Sequence, residues 1–407
     1  MNTRVVHTGK WIALIALLSG GLFLQSCDKS KVSATGGSIY ANPDSIQFSP
    51  EHYAAMLQRA YLDFYNLPPA STVNAIENAA DNTAAKKAYE DAIDEFVDSG
   101  IMKKGWLDYC FTILGVGSST GGNTVNMPCN LFAYVILQNK PMSEFILADY
   151  GIDNAGNQIS SDYTNGPPAE AKAGYITMDS FVDMYMNSFQ FKMLREVIYG
   201  NLCMTAPFTR FKLYGWSESQ VNVKYRESGG IKCSNCHAGG DANGGFNSLR
   251  YAFHNFNGNS GTWQTTNTRS NNYYDMELGA GGADEPSNEP RDASDMPVDA
   301  ATAEATMYKL TEDGEIVSTP RILASEISKH PGFIECWAER LITRILNADP
   351  GHPGQNAVAP NYFGETAAQK AYLTKWTAVF NEDKKPKSFI KAFLKSGDYL
   401  ILGYQAE

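Results

Sequence analysis

Cys233-Ser-Asn-Cys236-His237 places two thiols three residues apart, with an imidazole directly after the second. Two thiols at that spacing can each add to one vinyl group of the same porphyrin, and the adjacent histidine then falls beneath the iron as an axial nitrogen ligand. The chemistry expected is a covalently attached haem c, with Cys233, Cys236 and His237 as its holders and His237 as a metal ligand. Half of a zinc site competes for the same residues. It would need a second pair of ligands, and the sequence contains no other C-x-x-C and no H-x-x-x-H. A thioredoxin-like redox pair would need a strand before it and a helix after it; here Ser228-Gly-Gly and Ala238-Gly-Gly flank the motif.

The second axial position has several candidates downstream: His254, Met276, Met296, Met307, His330 and His352. Met296 precedes Pro297 and lies 59 residues after His237. A Met-Pro loop at that distance resembles the ligand loop of small c-type cytochromes, and a thioether ligand would raise the potential relative to two histidines. Met296 is the first candidate and His254 the next. The alternatives are an ordinary exposed methionine in an acidic loop, or an open sixth position. Arg250 and Trp263 could meet the haem propionates, or serve as ordinary surface and core residues.

Covalent haem of this kind is attached after export, and the N-terminus reads as an export signal. Arg4 and Lys10 make a positive start, Trp11 to Phe23 is an apolar and small-residue run, and Leu24-Gln-Ser-Cys27 closes it. The run is too short to span a bilayer, so a cleaved signal peptide over residues 1–26 is expected. Leu-x-Ser-Cys resembles the lipobox of bacterial lipoproteins, which makes Cys27 the lipidation site and the first mature residue; a plain signal with an incidental cysteine is the alternative. The expected location is the cell envelope, lipid-anchored. Losing Arg4 and Lys10 with the signal takes the net charge from −11 to −13. Such a surface excludes nucleic acid, whose phosphates need a basic counter-surface, and argues against peripheral docking on anionic lipid.

Of the seven cysteines, one goes to lipid and two to haem, leaving Cys110, Cys129, Cys203 and Cys336. In an oxidising compartment these can pair in three ways. Cys110 with Cys129 closes the shortest loop, and Cys203 with Cys336 follows from it; four buried free thiols are the other possibility.

The elements that must carry these residues read as mainly α, a helical c-type haem protein with long irregular loops. Residues 27–48 form a polar tether, 49–205 an N-terminal helical region, 206–280 the haem-binding segment, 281–318 an acidic linker and 319–407 a C-terminal helical region. Ser49-Pro50 opens a helix along which Tyr53, Met56, Leu57, Ala60, Tyr61 and Phe64 recur at helical spacing, with Pro68-Pro69 as its stop. Further helices are expected near Ala84–Asp98, Trp106–Leu114 and Thr177–Leu202. A Gly/Ser/Thr loop is expected over Gly115–Asn126. Thr319-Pro320 caps a helix to Lys329, and a second after Pro331 buries Phe333, Cys336, Trp337, Leu341, Ile345 and Leu346. Thr366–Phe380 and Lys387–Leu394 complete the set. Gly279-Ala-Gly281 is no dinucleotide loop, because no strand precedes it and the third glycine is misplaced.

After His237 the chain continues through Asp241, Gly245-Phe246, Asn255-Phe256, Gly261 and Trp263. This resembles the haem segment of planctomycete-type cytochromes, although an inserted glycine departs from that pattern and His254 stands where those proteins usually have Glu. Leu57–Pro69, Pro141–Tyr150 and Leu323–Leu341 are similar to further segments of the same family, in the same order. The resemblance implies a helical, exported cytochrome and supplies no catalytic residues. The function expected is one-electron transfer with a redox partner protein. The alternatives are a peroxidase-like oxidoreductase with an open sixth site, and a surface protein that binds a glycan or small molecule and keeps haem for structure.

Overall fold

A computed structural model of the chain describes residues 46–118, 121–159, 167–186, 190–203, 319–346 and 367–405, together with 252–253, 310, 313–315 and 317. The described helices belong to one compact unit. The class is mainly α: the only sheet among the described residues is one short antiparallel hairpin, β1 (Gly151–Ile152) with β2 (Gln158–Ile159).

The chain enters through α1 (Pro50–Leu62), where the Ser49 hydroxyl accepts the His52 N–H at 3.3 Å and Pro50 begins the first turn. Its expected apolar face, from Tyr53 to Phe64, is buried. The helix ends at Leu62 and not at Pro68-Pro69, because a Schellman turn intervenes. Tyr65 N–H donates to Leu62 O at 2.9 Å and Asn66 N–H to Tyr61 O at 3.0 Å, with Tyr65 in the left-handed region at φ +62°. Then come α2 (Ala70–Glu77), α3 (Asn82–Asp98) and α4 (Lys103–Leu114). Asp81 caps α3 by accepting the Ala84 N–H at 2.8 Å, and Tyr89, Ile93, Phe96 and Val97 form its buried face. Gly105 lets α4 lie close to α1, since a Cβ there would stand 2.5 Å from the Phe64 ring and 2.6 Å from the Arg344 guanidinium.

The expected loop over Gly115–Asn126 is shorter than its composition suggests, because α5 (Asn123–Leu137) begins within it. Burial of Met127, Cys129, Leu131 and Phe132 outweighs the poor helix formers at its start. After α6 (Glu144–Leu147), the described residues of the stretch expected as Thr177–Leu202 form α7 (Asp179–Met186) and α8 (Gln190–Leu202). Thr319 caps α9 (Pro320–Lys329) as expected, accepting the Ile322 N–H at 3.2 Å. Then α10 (Pro331–Ile345), α11 (Ala367–Asp383), α12 (Pro386–Lys395) and α13 (Gly397–Gln405) follow. Leu346, expected inside, is half-exposed because it ends α10.

Helices from the two ends of the chain share one core. Phe132 on α5 lies 5.6 Å from Trp337 on α10, 5.2 Å from Phe145 and 6.1 Å from Trp106, and burying a ring of this size contributes roughly 1.5–3 kcal/mol. Tyr89 OH donates to Leu394 O at 2.7 Å and Tyr109 OH to Arg340 O at 3.0 Å. Lys391 and Lys395 on α12 pair with Asp98 and Asp94 on α3 at 2.7 and 2.6 Å. Arg344 ties three pieces together: its Nη2 donates to Asp63 O at 2.8 Å, its Nε to Gly105 O at 3.3 Å, and its guanidinium lies 4.3 Å from the Phe64 ring centre.

Candidate functional site

The residues expected to carry the chemistry, Cys27, Cys233, Cys236, His237 and Met296, lie outside the described residues, as do His254, Met276, Met307, His352, Arg250 and Trp263. What the structure describes is the helical body that precedes and follows residues 204–318 in sequence. The helix α8 ends with Cys203 in the left-handed region at φ +52°, and Cys203 is bonded to Cys336 in the middle of α10, with their Cα atoms 5.2 Å apart. Cys110 and Cys129 are bonded in the same way between α4 and α5, at 5.4 Å. Both pairings are those expected first. Farther along the chain, Ala252, Phe253, Leu310 and Val317 are buried.

Next to the Cys203–Cys336 bond lies a buried cation that the sequence reading did not single out. Arg340, one turn after Cys336, is 5% exposed. Its Nη2 donates to Tyr199 O at 3.0 Å, and its guanidinium sits 5.1 Å from the Tyr199 ring centre and 5.9 Å from that of Trp337. Among the described residues no carboxylate pairs with it, and its Nε and the Trp337 indole N–H are buried donors without an acceptor. Two aromatic faces therefore take the part of a counter-ion. Burial pushes the Tyr109 hydroxyl up to about 12, against the opposing pull of Arg340, so it stays a neutral donor to the helix backbone. A signal for Arg340 does exist in the sequence. Cys336, Arg340 and Arg344 recur every four residues, on the same side of α10 as its apolar face, and a charge placed there must be buried.

Of the candidate iron ligands, His330 is described, and it is engaged elsewhere. It caps α10, its Nδ1 accepting the Gly332 N–H at 3.0 Å. A neutral imidazole that accepts at Nδ1 carries its proton on Nε2, so it has no lone pair left for a metal. Burial lowers its pKa, which keeps the cap neutral. Among the described residues no group of three or more His, Cys, Asp or Glu side chains could hold a metal ion, and no helix is long and apolar enough to cross a membrane.

The described residues thus form a mainly helical body with two disulfides, one of which, Cys203–Cys336, joins the helices that precede and follow residues 204–318 in sequence. No family model, curated protein or solved structure matches the chain.

Proposed function

We propose that this chain is an exported, lipid-anchored c-type cytochrome that carries one haem on Cys233 and Cys236, with His237 as an axial ligand, and passes single electrons at the cell envelope. The observation that carries this reading is Cys233-Ser-Asn-Cys236-His237 itself. Cysteine use supports it: Cys110, Cys129, Cys203 and Cys336 pair with one another, and the three that remain of seven are Cys27, Cys233 and Cys236. Those three fill the lipobox and the attachment motif, and two disulfides suit the oxidising compartment in which such haem is attached.

The donor set fits the group, with two thiols for the vinyl carbons and an imidazole for the iron. When bound, haem supplies one-electron chemistry through its iron. The chain's own residues bind and orient it: Cys233 and Cys236 through thioethers, His237 through a ring nitrogen, and Met296 through its sulfur at the sixth position. The ordered similarity of Leu57–Pro69, Pro141–Tyr150, the haem segment and Leu323–Leu341 to planctomycete-type cytochromes supports the same reading. A redox partner protein follows from it, as does a membrane reached through Cys27.

Denaturing electrophoresis with haem staining, run after acid–acetone extraction, tests the proposal. The native chain should stain and the Cys233→Ala/Cys236→Ala variant should not. A stained variant, or an exported native chain that takes up no haem, would overturn it.

A further inference from the structure

Leu62, Tyr65, Leu67 and Ile101 are 52%, 60%, 76% and 38% exposed, an unusual concentration of large apolar side chains at one end of α1. Hydrogen bonds to backbone carbonyls bring their chain segments together. Tyr65 N–H donates to Leu62 O, and Asn66, between Tyr65 and Leu67, reaches Ile101 O with its side-chain amide at 3.3 Å. The backbone makes their exposure more telling. Tyr65 occupies the left-handed position of the Schellman turn, where glycine is unstrained and a ring-bearing residue is not, so the turn keeps a tyrosine at a conformational cost. The ring meets Lys104 Nζ at 4.2 Å and the Arg344 guanidinium at 5.9 Å from its centre, contacts that offset part of that cost, and it is still left 60% exposed. Strain retained under an exposed side chain points to a task outside the fold.

We infer that Leu62, Tyr65, Leu67 and Ile101 form a contact patch for the neutral interface of the bilayer to which Cys27 tethers the chain. The inference rests on the lipid anchor of the proposed function. Its chemistry is that of an interface. Leucine and isoleucine enter the acyl boundary, a tyrosine stands at headgroup level, and a lysine lies along its ring. Lys104, the cation over the Tyr65 ring, is paired with Asp108 at 2.8 Å, and the net charge of −13 after signal removal disfavours anionic lipid.

Reach allows it. Residues 28–45 separate Cys27 from the first described residue, and whatever their conformation, a chain of that length spans at most about 65 Å. The patch lies at the far end of α1, roughly 20 Å along the helix from Ser49. Tethering raises the effective concentration of the bilayer to the order of millimolar, so a partition too weak to hold a free protein still orients a tethered one.

The test uses the full chain in two forms. The Cys27→Ser chain is sedimented with phosphatidylcholine vesicles, and the lipidated chain is reconstituted into the same vesicles for hydrogen exchange. Leu62→Ser/Leu67→Ser should weaken vesicle partition of the Cys27→Ser chain by about tenfold, and anionic lipid should not strengthen it. In the lipidated chain, amides of residues 62–67 and 100–104 should exchange more slowly than in the soluble form, and the double substitution should abolish that difference while the chain stays in the membrane. Tyr65→Gly should raise the melting temperature yet lower partition, opposite signs that a purely structural tyrosine would not give. Unprotected amides in a membrane-held chain would overturn the inference. So would protection that grows with protein concentration in lipid-free solution, since a second copy would then be the occupant. A lipidatable chain absent from the membrane fraction would instead refute the anchor, and the vesicle arm would still decide the patch.

Discussion

Asp63, just past the end of α1, keeps a carboxylate only 13% exposed, and its Oδ2 has no hydrogen-bond partner. Burial pushes its carboxyl up to about 6, against the pull of Arg59, whose Nε is 3.7 Å away, and of Arg344. A carboxyl whose folded value lies above its unfolded value of 3.8 holds its proton more tightly in the native state. Its stabilising contribution is complete below 3.8 and is lost as pH rises through about 6. Between pH 4 and 8, Asp63→Asn should therefore flatten the decline in stability, and at pH 8 it should stabilise the chain by about 1.5 kcal/mol, after discounting for solvent screening. Urea midpoints at the two pH values check this; equal slopes for native and variant would show that Asp63 does not titrate in that range. Asp63 carries no mark of burial in the sequence, unlike Arg340 and Arg344 with their spacing from Cys336, because a polar residue just past an apolar helical face reads as its solvent edge. Only the arrival of α10 against α1 and α4 turns that edge inward.

At the scale of elements, cap chemistry was the legible part. Ser49-Pro50, Thr319-Pro320 and Pro331 each open a helix where expected, since a hydroxyl acceptor or a fixed proline φ is written in the residue itself. The missed elements lacked such marks. The short α2 buries only Val73 and Ile76, α13 is an apolar run without clear periodicity after the Ser396 break, and α5 begins among glycine and threonine. Cysteine pairing was legible only as a choice among three, which helix packing settles by bringing α4 to α5 and α8 to α10. The two bonds should differ in worth. Cys110–Cys129 spans 19 residues and Cys203–Cys336 spans 133, for which loop-closure entropy gives about 3 and about 5 kcal/mol. Cys203→Ala/Cys336→Ala should therefore lower the denaturation midpoint more than Cys110→Ala/Cys129→Ala does. The reverse order would mean that the long loop is already closed by other contacts in the unfolded chain.

On the scale of the whole molecule, helices before residue 204 and after residue 318 make one core, and His237 and Met296 both fall within the loop closed by Cys203 and Cys336. The proposed attachment motif stands out because two thiols and an imidazole sit together in sequence. The proposed sixth ligand does not stand out in the same way, because in a long loop spacing alone does not decide which side chain would reach an iron. For the proposed sixth ligand, His330 is set aside because its Nδ1 accepts the Gly332 N–H, which leaves Met296 as the first candidate and His254 as the next. Met296→Ala should then remove the near-infrared band of sulfur–iron ligation, lower the reduction potential and leave a high-spin, peroxide-reactive iron. His330→Ala is the control: it should cost about 1 kcal/mol of stability through the lost cap and leave the spectrum unchanged. A native protein that is already high-spin and reacts with peroxide would make an oxidoreductase the better reading than a carrier. An unchanged spectrum in Met296→Ala would transfer the role to His254 or Met276, and a changed one in His330→Ala would mean that α10 gives up its cap when the iron is bound.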